Sequence, residues 1–331
     1  MKNRNLYITA LMATIFSGSA TAGSSPFTGS EAGEGIFYLY NADTGLWLQN
    51  NDRRTDHFTT RAELDTRGFD VEISAEGDGY RLNPRFGGNH SINGGENLYM
   101  DTGDAVTIWQ LNRAADSDVP NAYRIESESG SLGMGDNGFL TGCATGNNIW
   151  QLVSRQERIE AMAAGAINNP VDVTWLVQDP NFGFNDERYA AWNARFEGGN
   201  NPVAGDDKVR CNRAHESWNS ASIEMRQTIT DIPNGIYRVS VQGFYRDSDG
   251  VNRYENGTEV LRTRYFANEQ SLPLMSTFAG GADQADDNHD LHAGGKWAPN
   301  SLGNASLAFF NGEYKNEPLV VEVTDGTLTI G

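Results

Sequence analysis

Short runs of alternating apolar and polar residues fill the first half of the chain, and they recur. Tyr38-Leu39-Tyr40, Tyr80-Arg81-Leu82 and Tyr123-Arg124-Ile125 each have the period-two alternation of a strand and stand 42 and 43 residues apart. Each opens a unit that closes on an aromatic strand: Phe69-Asp70-Val71-Glu72-Ile73, then Ile108-Trp109-Gln110-Leu111, then Ile149-Trp150-Gln151-Leu152. Turn-forming stretches such as Asp43-Thr44-Gly45, Gly87-Gly88-Asn89 and Gly135-Asp136-Asn137-Gly138 lie between them. A period near 40 residues built from short strands fits a propeller or a β-trefoil. Only three units lie between Gly35 and Ser154, too few for the roughly four blades a propeller needs to close. The pattern therefore predicts a trefoil-like domain over residues 35–153 in which Phe69, Trp109 and Trp150 share one core.

Helical spacing follows. Ser154-Arg155-Gln156-Glu157 has the form of a capping box, and Ile159, Met162, Ala163 and Ala166 recur at steps of three and four. Asn168-Asn169-Pro170 ends the run, so residues 154–170 are expected to form a helical linker. Strand patterns then return. Val171 to Gln178 is expected as a buried strand, and Ile223 to Ile229 turns at Pro233-Asn234-Gly235 into a return strand through Tyr237, Val239 and Val241. Leu272 to Phe278, Ala305 to Phe310, and a hairpin of Leu319 to Val323 with Leu328-Thr329-Ile330 complete the set. This predicts an antiparallel β-sandwich over residues 171–331, and an all-β chain. A final strand that starts just before Gly331 suggests a sandwich truncated at its C terminus, with other domains of a longer chain beyond it.

The N terminus changes the expected location. Lys2 and Arg4, an apolar stretch from Leu6 to Phe16, and Ala20-Thr21-Ala22 match a signal peptide over residues 1–22. Residues 23–34 are expected to be a disordered linker. No later apolar run is long enough for a membrane helix, so a secreted, periplasmic or cell-surface protein is expected. With 25 basic and 44 acidic residues the net charge is −19, which argues against nucleic acid or an anionic membrane as partner. Export permits disulfides, and Cys143 and Cys211 are either one bridge or two separate thiols.

Two resemblances rest on these residues. The three units with Trp-Gln-Leu closures resemble ricin-type β-trefoil lectins, whose units end in Gln-x-Trp, although here the order is Trp-Gln. Tyr38-Leu39-Tyr40-Asn41 with Thr44-Gly45-Leu46-Trp47-Leu48 is also similar to trefoil-like modules of exported Bacteroidetes proteins. Asp172 to Phe182, Trp192 and residues 227–246 resemble galactose-binding-like jelly-roll modules of the same kind of protein. Both resemblances imply glycan recognition outside the cytoplasm, and neither implies a reaction.

Sugar binding needs an aromatic face for the C–H surface of a pyranose, with amides and carboxylates beside it for the hydroxyls. Trp47 with Asn50, Asn51 and Asp52 is the leading set in the trefoil; the alternative is that Trp47 packs beneath the first hairpin. Asn89, His90, Asn93 and Tyr99 form a second set, with Asp136, Asn137 and Phe139 a third. In the sandwich, Trp218, Tyr245 and Arg246 are candidates, and a core role is the alternative for the two aromatics. The loop from Asp283 to His292 places Asp286, Asp287 and Asp290 as candidate ligands of a structural Ca²⁺, against a plain acidic surface loop. Neither a nucleophile elbow, a zinc-protease helix nor a phosphate-cradling loop occurs. The expected function is an exported, non-catalytic carbohydrate-binding protein with a glycan or polysaccharide partner. The alternatives are accessory modules of a larger glycan-acting hydrolase and a structural or adhesive surface protein.

Overall fold

The computed structural model describes residues 5–10, 25–50, 62–85, 90–101, 106–136, 138–166, 170–180, 192–197, 203–204, 214–218 and 222–331. The chain is mostly strand and divides into two compact units, the first holding the described residues 25–175 and the second residues 5–10 and 176–331.

In the first unit each predicted repeat is four strands. They are Gly35–Asn41, Leu46–Asn50, Ala62–Asp65 and Asp70–Glu76; then Gly79–Pro84, Ser91–Gly94, Leu98–Asp101 and Gln110–Arg113; then Ala122–Ser127, Gly130–Met134, Leu140–Ala144 and Trp150–Val153. The outer strands of the repeats join in a closed ring. Gly35–Asn41 pairs with Asp70–Glu76, which pairs with Gly79–Pro84. A bridge between Tyr80 and Trp109 carries the ring onward to Gln110–Arg113, which pairs with Ala122–Ser127. That strand pairs with Trp150–Val153, which returns to Gly35–Asn41. The inner strands of each repeat form a hairpin. Six ring strands and a hairpin per repeat are the β-trefoil arrangement.

The closing aromatics explain why the ring holds. Trp109 and Trp150 are fully buried in one apolar cluster with Leu39, Leu48, Leu82 and Leu132, and Phe69 packs against it half-buried. Trp109 Nε1 donates to the Ile92 carbonyl at 2.9 Å, and Trp150 Nε1 donates to the Leu132 carbonyl at 2.8 Å. Each indole thus ties its repeat's closing strand to the first hairpin strand of the same repeat, and satisfies its own buried N–H. Phe69 fills the corresponding place but has no donor. The glutamines diverge: Gln110 Nε2 bonds the Asp78 carbonyl near the surface, whereas Gln151 is fully buried.

Gln151 fixes the stretch expected to be a linker. Its Nε2 donates to the carbonyls of Phe27 and Pro120 at 3.0 and 2.6 Å, and its Oε1 accepts from the Ser25 hydroxyl. Ser30 N donates to the Leu152 carbonyl, and Ala32 N to the Tyr123 hydroxyl. Residues 25–34 therefore form part of the trefoil unit rather than a free tether.

The helix α1 (Arg155–Ala166) belongs to this unit as well. Ser154 Oγ caps Glu157 N at 3.1 Å, as the capping box predicts, but the Glu157 carboxylate turns away to accept from Thr28 N and Gly29 N. The side chain that anchors α1 is charged. Arg158 is 1% exposed, and its guanidinium lies over the rings of Trp47, Trp175 and Tyr38 at 3.8, 4.1 and 4.6 Å. One nitrogen donates to the Arg67 carbonyl, while Nε and Nη1 have no partner among the described residues.

The second unit is built from strands in several sheets. One has the order Val203–Ala204, His215–Trp218, Asn5–Ala10, Val241–Arg246, Met275–Ser276; another runs Asn193–Glu197, Ser222–Ile229, Leu328–Ile330, Arg264–Ala267, Gln270–Pro273. Gly235–Val239 pairs with Leu319–Val323 separately. Four local expectations are corrected. Residues 174–176 form a 3-10 turn, because Asp172 Oδ1 takes Thr174 N at 2.8 Å and bends the chain where a strand was expected. Ser222–Ile229 and Gly235–Val239 do not pair; Pro233-Asn234-Gly235 crosses between sheets. Leu319–Val323 and Leu328–Ile330 likewise lie in different sheets. The apolar run at Ala305–Phe310 is helical. It lies in Leu302–Phe310, started by Ser301 Oγ accepting from Asn304 N at 3.1 Å, and it buries Ala305, Ala308 and Phe309 against Phe244 and Tyr314. A six-residue apolar run fits a helix or a strand equally, and here the cap decides.

Candidate functional site

The residues singled out from sequence fall in both units, and several of the described ones are interior to their own unit. Trp47 is 7% exposed, lies beneath Arg158, and meets Phe27 and Tyr40 at ring distances of 5.2 and 4.8 Å. The indole is packed against a cation and two rings within the unit. The backbone of Asn50 ends the strand that carries Trp47; Asn51 and Asp52 lie outside the described residues. Asn93 is buried and accepts from Thr107 N, Phe139 is buried, and Asn89 and Asn137 lie outside the described residues. His90 is half-buried and Tyr99 exposed. Cys143 is a free, exposed thiol, and Cys211 lies outside the described residues.

In the second unit Trp218 ends its strand, and Tyr245 is 3% exposed. Arg246 and its neighbours do something else: they hold a hairpin. Leu291–Ala293 pairs with Lys296–Ala298 through Gly294 and Gly295, whose φ angles of +56° and +79° suit a two-residue turn. Asp290 Oδ1 accepts from Asn300 N at 3.2 Å, closing the base, and Arg246 donates to Asn300 Oδ1 at 2.7 Å. Asp247, almost fully buried, accepts from Arg253 at 2.7 Å and so fixes the short helix Gly250–Glu255. From that helix Glu255 accepts from Gly294 N at 3.3 Å, and the Tyr254 ring lies so near that a Cβ on Gly294 would meet it at 2.8 Å.

This frame presents an aromatic pair. His292 and Trp297 are directly opposite across the hairpin with ring centroids 4.7 Å apart, His292 exposed and Trp297 half-buried. Lys296 Nζ meets Asp283 at 2.6 Å beside them. The indole offers an apolar face, and the imidazole, ammonium and carboxylates offer donors and acceptors around it. Sequence reasoning missed Trp297, although Gly294-Gly295 between Leu-His-Ala and Lys-Trp-Ala is a two-residue hairpin signal.

The acidic loop proves to be held by protein donors. Asp286 Oδ1 accepts from Asn288 N, His289 N and the His289 ring at 2.7, 2.8 and 2.9 Å. Asp290 is taken by Asn300 and Asn304. Among the described residues no group of three or more His, Cys, Asp or Glu is disposed to hold a metal, so Asp286, Asp287 and Asp290 do not converge as the Ca²⁺ ligands expected. His289 spans two carboxylates, with Nε2 2.8 Å from Glu313. Burial presses its pKa down, but the hydrogen bonds and charges of Asp286 and Glu313 outweigh burial and raise it above the usual histidine value.

A raised folded-state pKa means that this contribution is complete below the unfolded value, about 6.5, and disappears as pH rises through the folded pKa. The second unit should therefore melt at a lower temperature on going from pH 6 to pH 9, and His289→Gln should flatten that slope. Calorimetric melts of both chains across this range check it; equal slopes would contradict the ion-pair assignment.

No family model matches the chain, and no curated protein matches it. Among solved structures, a salivary protein of the Cysteine and Tryptophan-Rich family from Culex quiquefasciatus is 17% identical and covers 38% of this chain and 96% of its own, with a TM-score of 0.30. The designed threefold-symmetric protein ThreeFoil is 16% identical and covers 36% of this chain and 98% of its own, with a TM-score of 0.27. At these scores the trefoil assignment rests on the strand pairing above, not on either neighbour.

Proposed function

We propose that this chain is an exported carbohydrate-binding protein, with a ricin-type-like trefoil followed by a galactose-binding-like sandwich. In this reading the hairpin of residues 291–298 is the contact for an extracellular glycan. The observation that carries it is the cross-strand pair of exposed His292 and half-exposed Trp297, held on a braced hairpin with Lys296, Asp283 and Glu255 around it. A sugar ring stacks on the indole, and the flanking groups bond its hydroxyls. Arg246 acts through Asn300 as a positioning residue. Contacts of this kind are shallow and weak singly, as suits a module that docks on a polymer.

The test is isothermal titration of the purified chain against a panel of soluble polysaccharides. Trp297→Ala should weaken binding at least tenfold while the circular dichroism spectrum is kept, and Arg246→Ala should weaken it less. Undiminished binding by Trp297→Ala would remove the hairpin from the site. If no glycan binds the unmodified chain, the reading fails and the adhesive alternative takes its place.

A further inference from the structure

The two most exposed large apolar side chains among the described residues stand on one face of one small sheet. Gly235–Val239 and Leu319–Val323 form a two-stranded antiparallel ribbon in the second unit, with Ile236 opposite Glu322 and Arg238 opposite Val320. Tyr237, Val239, Leu319, Val321 and Val323 turn to the other side, where all but the half-buried Tyr237 are buried. Ile236, 69% exposed, and Val320, 53% exposed, face outward with the exposed Arg238 and Glu322. Apolar side chains scattered singly over a surface are ordinary, but here two adjoin, with opposite charges interleaved.

The four outward residues form a checkerboard, apolar groups on one diagonal and opposite charges on the other. Diagonal neighbours on a ribbon are within reach of long side chains. No ion pair joins Arg238 to Glu322, however, and neither has another charged partner among the described residues. Such a board is its own complement. A twofold axis along the apolar diagonal, midway between two facing ribbons, sets Ile236 against the second copy's Ile236 and Val320 against its Val320. The same axis brings each Arg238 onto the Glu322 of the other copy. An axis along the charged diagonal would oppose like charges, and an axis along or across the strands would set charges on apolar groups. One isologous arrangement therefore satisfies all four residues, with the strands of the two copies crossing steeply as in orthogonal sheet packing.

We infer that this face binds a second copy of the chain, as a closed and weak homodimer. Self-complementarity selects a copy over other occupants: a covering segment of the same chain would have to bring both charge signs and two apolar groups in this order, and a copy carries them by construction. The reciprocal ion pairs fix the orientation, and the apolar diagonal leaves water. A core of four residues a side is small beside the roughly 20–30 residues of a stable interface, so the affinity is micromolar or weaker. The dimer does not depend on the glycan reading; where that reading holds, it doubles the contacts offered to one polymer.

Sedimentation velocity of the full chain, run from micromolar to millimolar concentration at physiological salt, is the test. The weight-average mass is expected to climb from one chain to two and go no further. Arg238→Glu and Glu322→Arg should each raise the dissociation constant at least tenfold, because each sets like charges together twice, while circular dichroism and melting temperature stay as in the unmodified chain. Mixing the two variants should restore the dimer as a one-to-one pair, since every facing pair is then of opposite sign. A chain that stays monomeric throughout overturns the inference, as does dimerisation indifferent to Arg238→Glu or an equimolar mixture that does not pair. A melting temperature lowered by Arg238→Glu at unchanged mass would mark a segment of the same chain as the occupant, and overturns it too.

Discussion

Replacing Trp150 by alanine is expected to destabilise the trefoil unit by about 3–5 kcal/mol, the range for removing a fully buried large aromatic. Two losses add at this position: the indole leaves a cavity in the cluster around Leu39, Leu132 and Leu152, and the Leu132 carbonyl loses its donor, which is also the closing strand's tie to the third hairpin. For a unit of this size about 1 kcal/mol moves the melting temperature by roughly 2–4 °C, so a fall of about 10 °C is expected by calorimetry. Trp150→Phe separates the contributions. It retains most of the volume and loses the N–H, placing at the third repeat the residue type that Phe69 supplies at the first, and it should cost about 1–3 kcal/mol. A loss under about 1 kcal/mol for Trp150→Ala would show that the closing aromatic does not hold the ring.

Arg158 should behave in the opposite sense to an ordinary ion. Burial pushes its pKa down to about 9, with Tyr38 and Asp172 opposing the fall, so the cation is held at neutral pH against a desolvation cost. Three aromatic rings and one carbonyl return part of that cost, each ring by about 2 kcal/mol. Two nitrogens remain without partners. Arg158→Met, which fills the space without the charge, is expected to be neutral or stabilising by about 1–4 kcal/mol. Arg158→Ala empties the space between Tyr38, Trp47 and Trp175 and should cost about 2–4 kcal/mol, a figure set by the cavity. Urea titrations of both variants decide it. A Met variant as unstable as the Ala variant would mean that the cation–aromatic contacts, and not the volume, hold α1 in place. The proton balance gives a second check. The unfolded chain keeps Arg158 charged to higher pH than the folded one, so stability from this group should rise with pH above about 9, and Arg158→Met should lack that rise.

The repeats were legible because each carries the same physical demand at the same spacing. A closing aromatic must enter a shared core, and the turn residues between strands mark the hairpins. The chain beyond residue 170 was less legible for reasons visible in single residues. Ser301 and Asp172 redirect apolar runs into a helix and a 3-10 turn through one short hydrogen bond each, a preference that hydrophobic periodicity does not record. The strands around Pro233-Asn234-Gly235 and Asp325-Gly326 alternate as hairpin strands do, yet their partners lie far along the chain. The candidate site suffered most. Trp47 and Tyr245 sit in sugar-binding company in the sequence, but the polar residues beside them carry no information on which way the ring points. Arg246 stands out for its hydrogen-bonding capacity, and that capacity is directed to Asn300, bracing a hairpin some fifty residues away.

The ring of the first unit joins its own beginning to its own end: Tyr38 to Asn41 lie beside Trp150 to Val153, and Phe27 is held by Gln151. During synthesis from the N terminus, the first strand gains Asp70–Glu76 early on one edge but must wait for more than a hundred residues before the neighbour of its other edge exists. Local hairpins can form early, but the barrel can close only once the third repeat has emerged, and its folding is governed by that long-range pairing rather than by local propensity. Until then the edge of Gly35–Asn41 that Trp150–Val153 will occupy stays open, which makes the interval before closure the period in which this chain is most exposed to wrong partners.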